Sequence, residues 1–213
     1  MKKLGTILIV LSGFAAQSAM ADLFGPANGR SANLDNLADM SVEGGALIGG
    51  DYTTFGARFN YKLNPDMMLF GDIAQTNVDG FGEDASGIAF GGGLYYYLRN
   101  VVLLENTSTA VKGSYHLAPL DISGTDVDYS EIAIEALISG DQLATTDFGW
   151  YANAGLHIVS VEIDLGAFGS ADGSDTELGF GGGIIGQASV GEWYAGVDFI
   201  DGLQLVGGFR YNL

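Results

Sequence analysis

FNYKLNPDMMLFGDIAQ (Phe59–Gln75) decides how this chain is read. Apolar and polar residues alternate on both sides of an Asn64-Pro65-Asp66 break, the pattern of a hairpin whose strands each carry two unlike faces. If the apolar face is buried, the hairpin belongs to an ordinary soluble sheet. If it points outward, the solvent on that side must be lipid.

The same alternation continues through the chain. Strand-like segments are predicted at about 41–49, 52–63, 67–76, 87–98, 102–117, 128–138, 147–164, 177–190, 192–200 and 203–213. Ten is the preferred count and eight the alternative. Short connections at 64–66, 99–101, 139–146 and near Gly191 alternate with longer Gly/Asp-rich ones at 77–86, 118–127 and 165–176. An even-stranded barrel in an outer membrane has this arrangement, with turns at one end and loops at the other.

Two further features bear on destination. Lys2 and Lys3, an apolar run and the ending Ala19-Met20-Ala21 have the layout of a signal peptide over residues 1–21, with a polar, turn-rich extension at 22–39 and a barrel domain at 40–213. Removing the signal leaves 213 − 21 = 192 residues and changes the formal charge from −18 to −20. So acidic a surface excludes nucleic acid as a natural partner. No cysteine is present, so stability must come from the sheet. After the signal, no apolar stretch reaches the ~20 residues of a spanning helix, and any membrane crossing must be made by strands.

Written out by face, Phe55, Ala57, Phe59, Tyr61 and Leu63 oppose Gly56, Arg58, Asn60 and Lys62. Ile132, Ile134, Ala136 and Ile138 oppose Glu131, Ala133 and Glu135; Leu203, Leu205, Phe209, Tyr211 and Leu213 oppose Gln204, Arg210 and Asn212. Charge gathers on one face. Aromatic residues gather at strand ends, with Tyr61, Tyr96, Phe148, Trp150, Trp193, Phe209 and Tyr211 toward the short turns and Tyr52, Phe55, Tyr115, Tyr129 and Phe199 toward the other end, as two interfacial girdles would require. A soluble barrel with its apolar face turned inward is the competing reading of the same alternation.

Turn positions give trial registers. Leu63 paired with Met67 puts Arg58 opposite Asp72, and a three-residue loop at 200–202 puts Glu192 opposite Arg210. Leu117 paired with Asp128 puts Lys112 opposite Ala133, diagonal to Glu131 and Glu135. The expectation is a lumen crossed by ion pairs among Arg58, Asp72, Lys112, Glu131, Glu135, Glu192 and Arg210.

Other constellations compete for function. The last register brings Glu131 opposite Ser114, which shares a face with His116, so Ser114, His116 and Glu131 form a candidate catalytic cluster. Gly181, Gly183 and Gly186 match G-x-G-x-x-G, but strand alternation runs on through Ile184 and Gln187 where a dinucleotide site needs a helix. No cofactor is expected, and the glycines are read as room for curvature and bulky lumen neighbours. Asp79, Glu83, Asp84, Asp121, Asp126, Asp128, Asp172, Asp175 and Glu177 crowd carboxylates at the outer rim, where divalent cations could bridge them to lipid phosphates; no run has EF-hand spacing, and solvated turns are the plainer reading.

The signal peptide, the alternating strands and the ending VGGFRYNL (Val206–Leu213) together resemble the small outer-membrane β-barrel proteins of Gram-negative bacteria, over residues 41–213. In that family the last strand usually ends in an aromatic residue that marks the chain for barrel assembly; here Phe209, Tyr211 and Leu213 alternate and the final residue is Leu. The resemblance implies an antiparallel up-and-down transmembrane barrel of the cell envelope, surrounded by outer-membrane lipid and lipopolysaccharide, handled by the barrel-assembly machinery and monomeric. It implies a structural or surface-interaction role, with a porin-like narrow pore for small solutes and a lipid-modifying hydrolase as alternatives.

Overall fold

A computed structural model of the chain describes residues 29–50, 52–80, 83–122, 125–140, 148–164, 169–200 and 202–213. The signal segment lies outside them. Ten strands form one closed antiparallel barrel: β1 (Met40–Ile48), β2 (Tyr52–Asn64), β3 (Met67–Gly80), β4 (Glu83–Tyr97), β5 (Ser108–Ile122), β6 (Thr125–Gly140), β7 (Phe148–Asp164), β8 (Ser170–Ala188), β9 (Gly191–Phe199) and β10 (Leu203–Asn212). Each strand pairs with its sequence neighbours, and β1 pairs with β10 to close the wall. Closure leaves no edge strand, although β8 from Ser170 to Gly179 extends past its ladder with β9.

The strands run further than the sequence suggests. The Gly/Asp-rich stretches at 77–86 and 118–127, expected as loops, are mostly strand, because the β3–β4 ladder reaches Gly80 opposite Glu83 and the β5–β6 ladder reaches Ile122 opposite Thr125. Pro119 is accommodated inside β5. It pairs with Asp128 on one side, while the β4–β5 ladder is interrupted, with its register unchanged, between Gly87–Leu120 and Phe90–Leu117, where proline has no N–H to donate. In the other direction β5 begins only at Ser108, so Val102–Leu104, expected at the start of a strand, form a connection instead.

Period-two alternation gives the wall two opposite surfaces. Phe59, Ile134 and Leu205 are 43%, 62% and 55% exposed on the outside, whereas Arg58 and Glu135 are 2% and 1% exposed within. Outward apolar side chains on β7 run from Trp150 through Leu156 to Ile158, close to the ~9–11 residues a tilted strand needs to cross a bilayer. Among the described side chains of the strands, outward charge occurs only at Asp128, Glu162 and Asp172, neighbours on β6, β7 and β8 just beyond a row of Ser130, Ser160 and Ser174. Tyr61, Tyr96, Phe148, Phe209 and Tyr211 are exposed near the short-turn end. Of the residues assigned to the opposite girdle, Phe55, Tyr115 and Phe199 are exposed, but Tyr52 and Tyr129 fall on the inward register and are buried.

The interior is layered. Toward the ends of the long strands, inward Leu47, Tyr52, Leu120, Val127, Tyr129, Val159, Ile163 and Ile200 form part of one apolar cluster. At the short-turn end, Met68, Phe70, Tyr95, Ala110 and Leu137 form another, completed by Ala32, Leu34 and Leu37 from the segment that precedes β1. That segment is a plug. A short 3-10 turn over Leu34–Asn36, capped by the Asn33 side chain on the Asp35 N–H, presents Leu34 to the interior.

Leu34 is fully buried, so Leu34→Ala is expected to cost about 2–5 kcal/mol of plug docking. Limited proteolysis should then cut within residues 29–39 while the barrel stays resistant; an uncut segment in this variant would show that the plug is held elsewhere.

Candidate functional site

On β2–β6 the charged residues lie between the two apolar clusters, while on β7–β9 the first cluster continues through Tyr151, Ile185 and Tyr194 toward the level of Arg210. The charges are paired by cross-strand neighbours. Arg58 is directly opposite Asp72, and its guanidinium meets both carboxylate oxygens, Nε to Oδ1 at 2.6 Å and Nη2 to Oδ2 at 3.0 Å. A two-pronged pair of this kind is the strongest geometry available to arginine and carboxylate. The register survives a bulge at Leu63, where the ladder moves from Lys62–Met68 to Asn64–Met67. Asp72 also meets His116 Nε2 at 2.8 Å. Arg58 Nη1 donates to the Tyr95 hydroxyl at 3.3 Å, and its guanidinium packs over Phe70.

A second group spans the closing seam. Arg210 lies between Glu43 on β1 and Glu192 on β9, with Nε to Glu43 Oε2 at 3.1 Å and Nη1 to Glu192 Oε2 at 2.6 Å. The plug joins here. Arg30 Nη2 donates to Asn60 Oδ1 at 2.8 Å and reaches Glu43 Oε2 at 3.4 Å, with its guanidinium 4.0 Å from the Tyr95 ring centre. Arg210 Nη2 donates to the Gly29 carbonyl, and Ser139 Oγ accepts from the Ala32 N–H. Fully buried, Arg30 acts as an arginine supplied by the preceding segment to a wall that already carries Glu43.

The β5–β6 register differs from the one expected by two residues. Lys112 is opposite Glu135 and paired with it, because the ladder runs on to Ile122 opposite Thr125. The same shift changes the expected pairing of the candidate catalytic cluster: Ser114 is opposite Ala133 and Gly93, and Glu131 is opposite His116. The side chains then diverge, with His116 on Asp72 and Glu131 Oε1 on His157 Nδ1 at 2.6 Å. Ser114 is thus given neither the base nor the orienting acid that a nucleophile requires. Gly181 and Gly183 lie inward in continuous β8, with no helix following them. A side chain at Gly181 would strike Asp198, and one at Gly183 would strike the β9 backbone and Tyr151.

At the rim, the side chains of Asp79, Glu83, Asp84, Asp121 and Asp126 lie outside the described residues. Asp128 and Asp172 flank Glu162 on the outer wall, and Asp175 and Glu177 fall on the inward register of β8. Among the described residues, no group of three or more His, Asp or Glu side chains is arranged to hold a metal ion.

Glu43, Arg30, His157 and Asn153 were absent from the sequence-derived set. Glu43 had a local signal, since a turn centred on Gly50-Asp51 places it opposite Arg58. Alternation alone puts Asn153 and His157 on the polar face of β7, but their partners, with Asn153 donating to Glu135 at 3.1 Å, follow only from the β6–β7 register.

At the plug's outer edge Arg99 grips Asp35, Asp66 and the Pro65 carbonyl. Hydrogen bonding from Arg99 holds the Asp35 carboxyl below its usual range.

Comparisons with known proteins add no family. No protein-family model matches the chain, and no curated protein matches it. Among solved structures, the crystal structure of Ail, the attachment invasion locus protein of Yersinia pestis, is similar at 13% sequence identity and a TM-score of 0.31, covering 81% of this chain and 95% of that one.

Two measurements test the charged layer. Arg58→Met leaves Asp72 without its arginine, so urea unfolding should lose about 3–5 kcal/mol, while Arg58→Met with Asp72→Leu should recover most of it. The plug clasp is a matter of pH. Because the Asp35 pKa is depressed in the folded state, its contribution is present above the unfolded carboxylate pKa and disappears as pH falls through the lower folded value. Hydrogen exchange in residues 33–39 should accelerate in that acid window, and Asp35→Asn should remove that pH dependence.

Proposed function

We propose that the chain is an integral outer-membrane barrel, exported by residues 1–21, whose role is structural or surface-interacting and whose lumen is filled. The observation that carries this reading is the two-sided wall: an apolar outer face bounded by aromatic residues and, beyond Ser130, Ser160 and Ser174, by carboxylates, around an interior that holds the charge. In water this arrangement would expose a continuous belt of large apolar side chains, far beyond what a soluble monomer tolerates. In a bilayer the belt meets acyl chains and the ladder satisfies the backbone internally.

Outer-membrane lipid and lipopolysaccharide are the surroundings this reading assigns, with the barrel-assembly machinery as the insertion partner and a monomer as the working unit. The two apolar clusters that bracket the ion pairs of β2–β6 support a closed lumen over a solute pore. The dispersal of Ser114, His116 and Glu131 among different partners supports a non-catalytic role.

Membrane extraction is the test. Detergent should release the protein and urea should not; release by urea would remove the membrane reading. Within that reading, Ile134→Arg should lower stability in lipid vesicles by about 2–4 kcal/mol if the position lies near mid-bilayer. Planar-bilayer recordings should show no unitary current steps, and sustained steps would favour the pore.

A further inference from the structure

The connection between β4 and β5 carries four consecutive apolar residues, Val101, Val102, Leu103 and Leu104, that are 39%, 65%, 62% and 58% exposed. The other described turns at this end carry shorter apolar stretches: Asp66 N–H donates to Asn64 Oδ1 in the Asn64-Pro65-Asp66 turn, and the turn before β9 exposes one apolar residue, Val190. A run of valine and leucine held in water is costly, so its surroundings need an explanation.

The loop is built to present these side chains. Val101 N–H closes on the Leu98 carbonyl at 3.0 Å, and Thr107 N–H closes on Leu104 O at 3.3 Å. The Thr107 hydroxyl donates to Leu104 O at 2.7 Å, and Asn106 takes a left-handed conformation (φ 59°) that permits the return. The four residues therefore sit between two closed turns. Leu98 N–H bonds to Thr109 O, which ties the loop to the start of β5. Thr109 lies on the outward register of β5 yet is only 3% exposed, so the wall is covered on its outer side where the loop leaves it.

Two further observations select the occupant. The loop leaves β4 after Tyr97, and the last outward residue before it is Tyr96, an exposed member of the aromatic ring at this end. Its one cation is already engaged, since Arg99 is bound to Asp35 and Asp66. Glu105 follows the run as an exposed carboxylate, so the apolar part of the tip is Val101–Leu104 alone. From these observations we infer that Val101–Leu104 insert into the adjacent leaflet of the membrane, at the boundary between headgroups and acyl chains, and form a second lipid contact beside the barrel wall. The inference rests on the membrane reading above and adds a peripheral anchor to it.

The absence of native cysteine allows a single reporter per variant. Leu103→Cys and, as a mid-wall reference, Leu205→Cys would each be labelled with an environment-sensitive fluorophore and the full chain folded into phosphatidylethanolamine/phosphatidylglycerol vesicles. One of two brominated phospholipids would be included, with bromine placed either high on the acyl chain or near its methyl end. The Leu103 probe should lose emission, more strongly to the high bromine, while the Leu205 probe should lose it more strongly to the deep one. A quenched Leu205 probe with an unquenched Leu103 probe would overturn the anchor alone. If neither is quenched, the membrane reading fails and the anchor with it. A Leu103 probe that is shielded from bromine but crosslinks to a second chain in proportion to protein density would replace lipid by a neighbouring copy and also overturn the proposal. As an independent check, Val102→Asp combined with Leu103→Asp should shift the Tyr96 level of the wall outward, read as lower shallow-bromine quenching of a probe at Tyr96→Cys; no change there would count against the anchor.

Discussion

A buried charge must be paired, and in this barrel that requirement holds the wall in register. Arg58, Lys112 and Arg210 point into the lumen and contact Asp72, Glu135, Glu43 and Glu192, all supplied by neighbouring strands. Such pairs add little net stability over apolar packing, but breaking one strands its partner in a poorly solvated interior. Their contribution is therefore specificity of pairing. Sliding β2 by one residue would drive Arg58 outward and Phe59 inward, a double penalty. The outer apolar face and the inner ion pairs are two expressions of a single alternation.

Space inside the barrel is apportioned to suit. Bulky inward side chains face glycine on the next strand: His116 covers Gly91, Phe70 covers Gly93, Asp198 covers Gly181 and the Tyr151 ring reaches toward Gly183 and Gly196. Each glycine leaves a shelf without a Cβ, so a large polar residue can reach its counterion across the narrow lumen. The plug exploits the same geometry, with Gly29 against the Tyr194 ring and Arg30 on the Glu43–Arg210 pair. Arg30 thus couples a segment outside the strands to the seam where the barrel closes.

The features that were legible in the sequence are those set by neighbouring residues. Alternation identified the strands, and two tight turns fixed Arg58 opposite Asp72 and Glu192 opposite Arg210. Lys112 was displaced by two residues because Gly/Asp-rich composition mimics a long loop, whereas the ladder actually continues past Pro119 to Ile122. Tyr52 and Tyr129 were placed by their height along the strand, but their parity turns them inward. The plug left little trace, since a turn-rich segment such as SANLDNLAD reads as solvated until the lumen that receives Leu34 is known. Contacts across the β1–β10 seam arise from closure, which no local pattern encodes.

The order of the layers bears on what the interior can do. At the tall-strand end inward Leu47, Tyr52, Leu120 and Ile200 share the approach with the inward carboxylates of Asp175 and Glu177 on β8 and Asp198 on β9. At the other end an ion leaving water would meet the Leu34 cluster before Arg30. Apolar side chains at both approaches raise the desolvation cost of entry, and the charges between them are already engaged with one another. Strand length is distributed unevenly as well: β7 and β8 have 17 and 19 residues, while β1 and β9 have 9 each. The extra length carries β7 and β8 beyond the serine row into the carboxylate-bearing rim, where both faces of β8 are largely exposed from Ala171 to Thr176. Material invested there enlarges the surface that projects past the apolar belt, whereas the interior is spent on holding the wall closed.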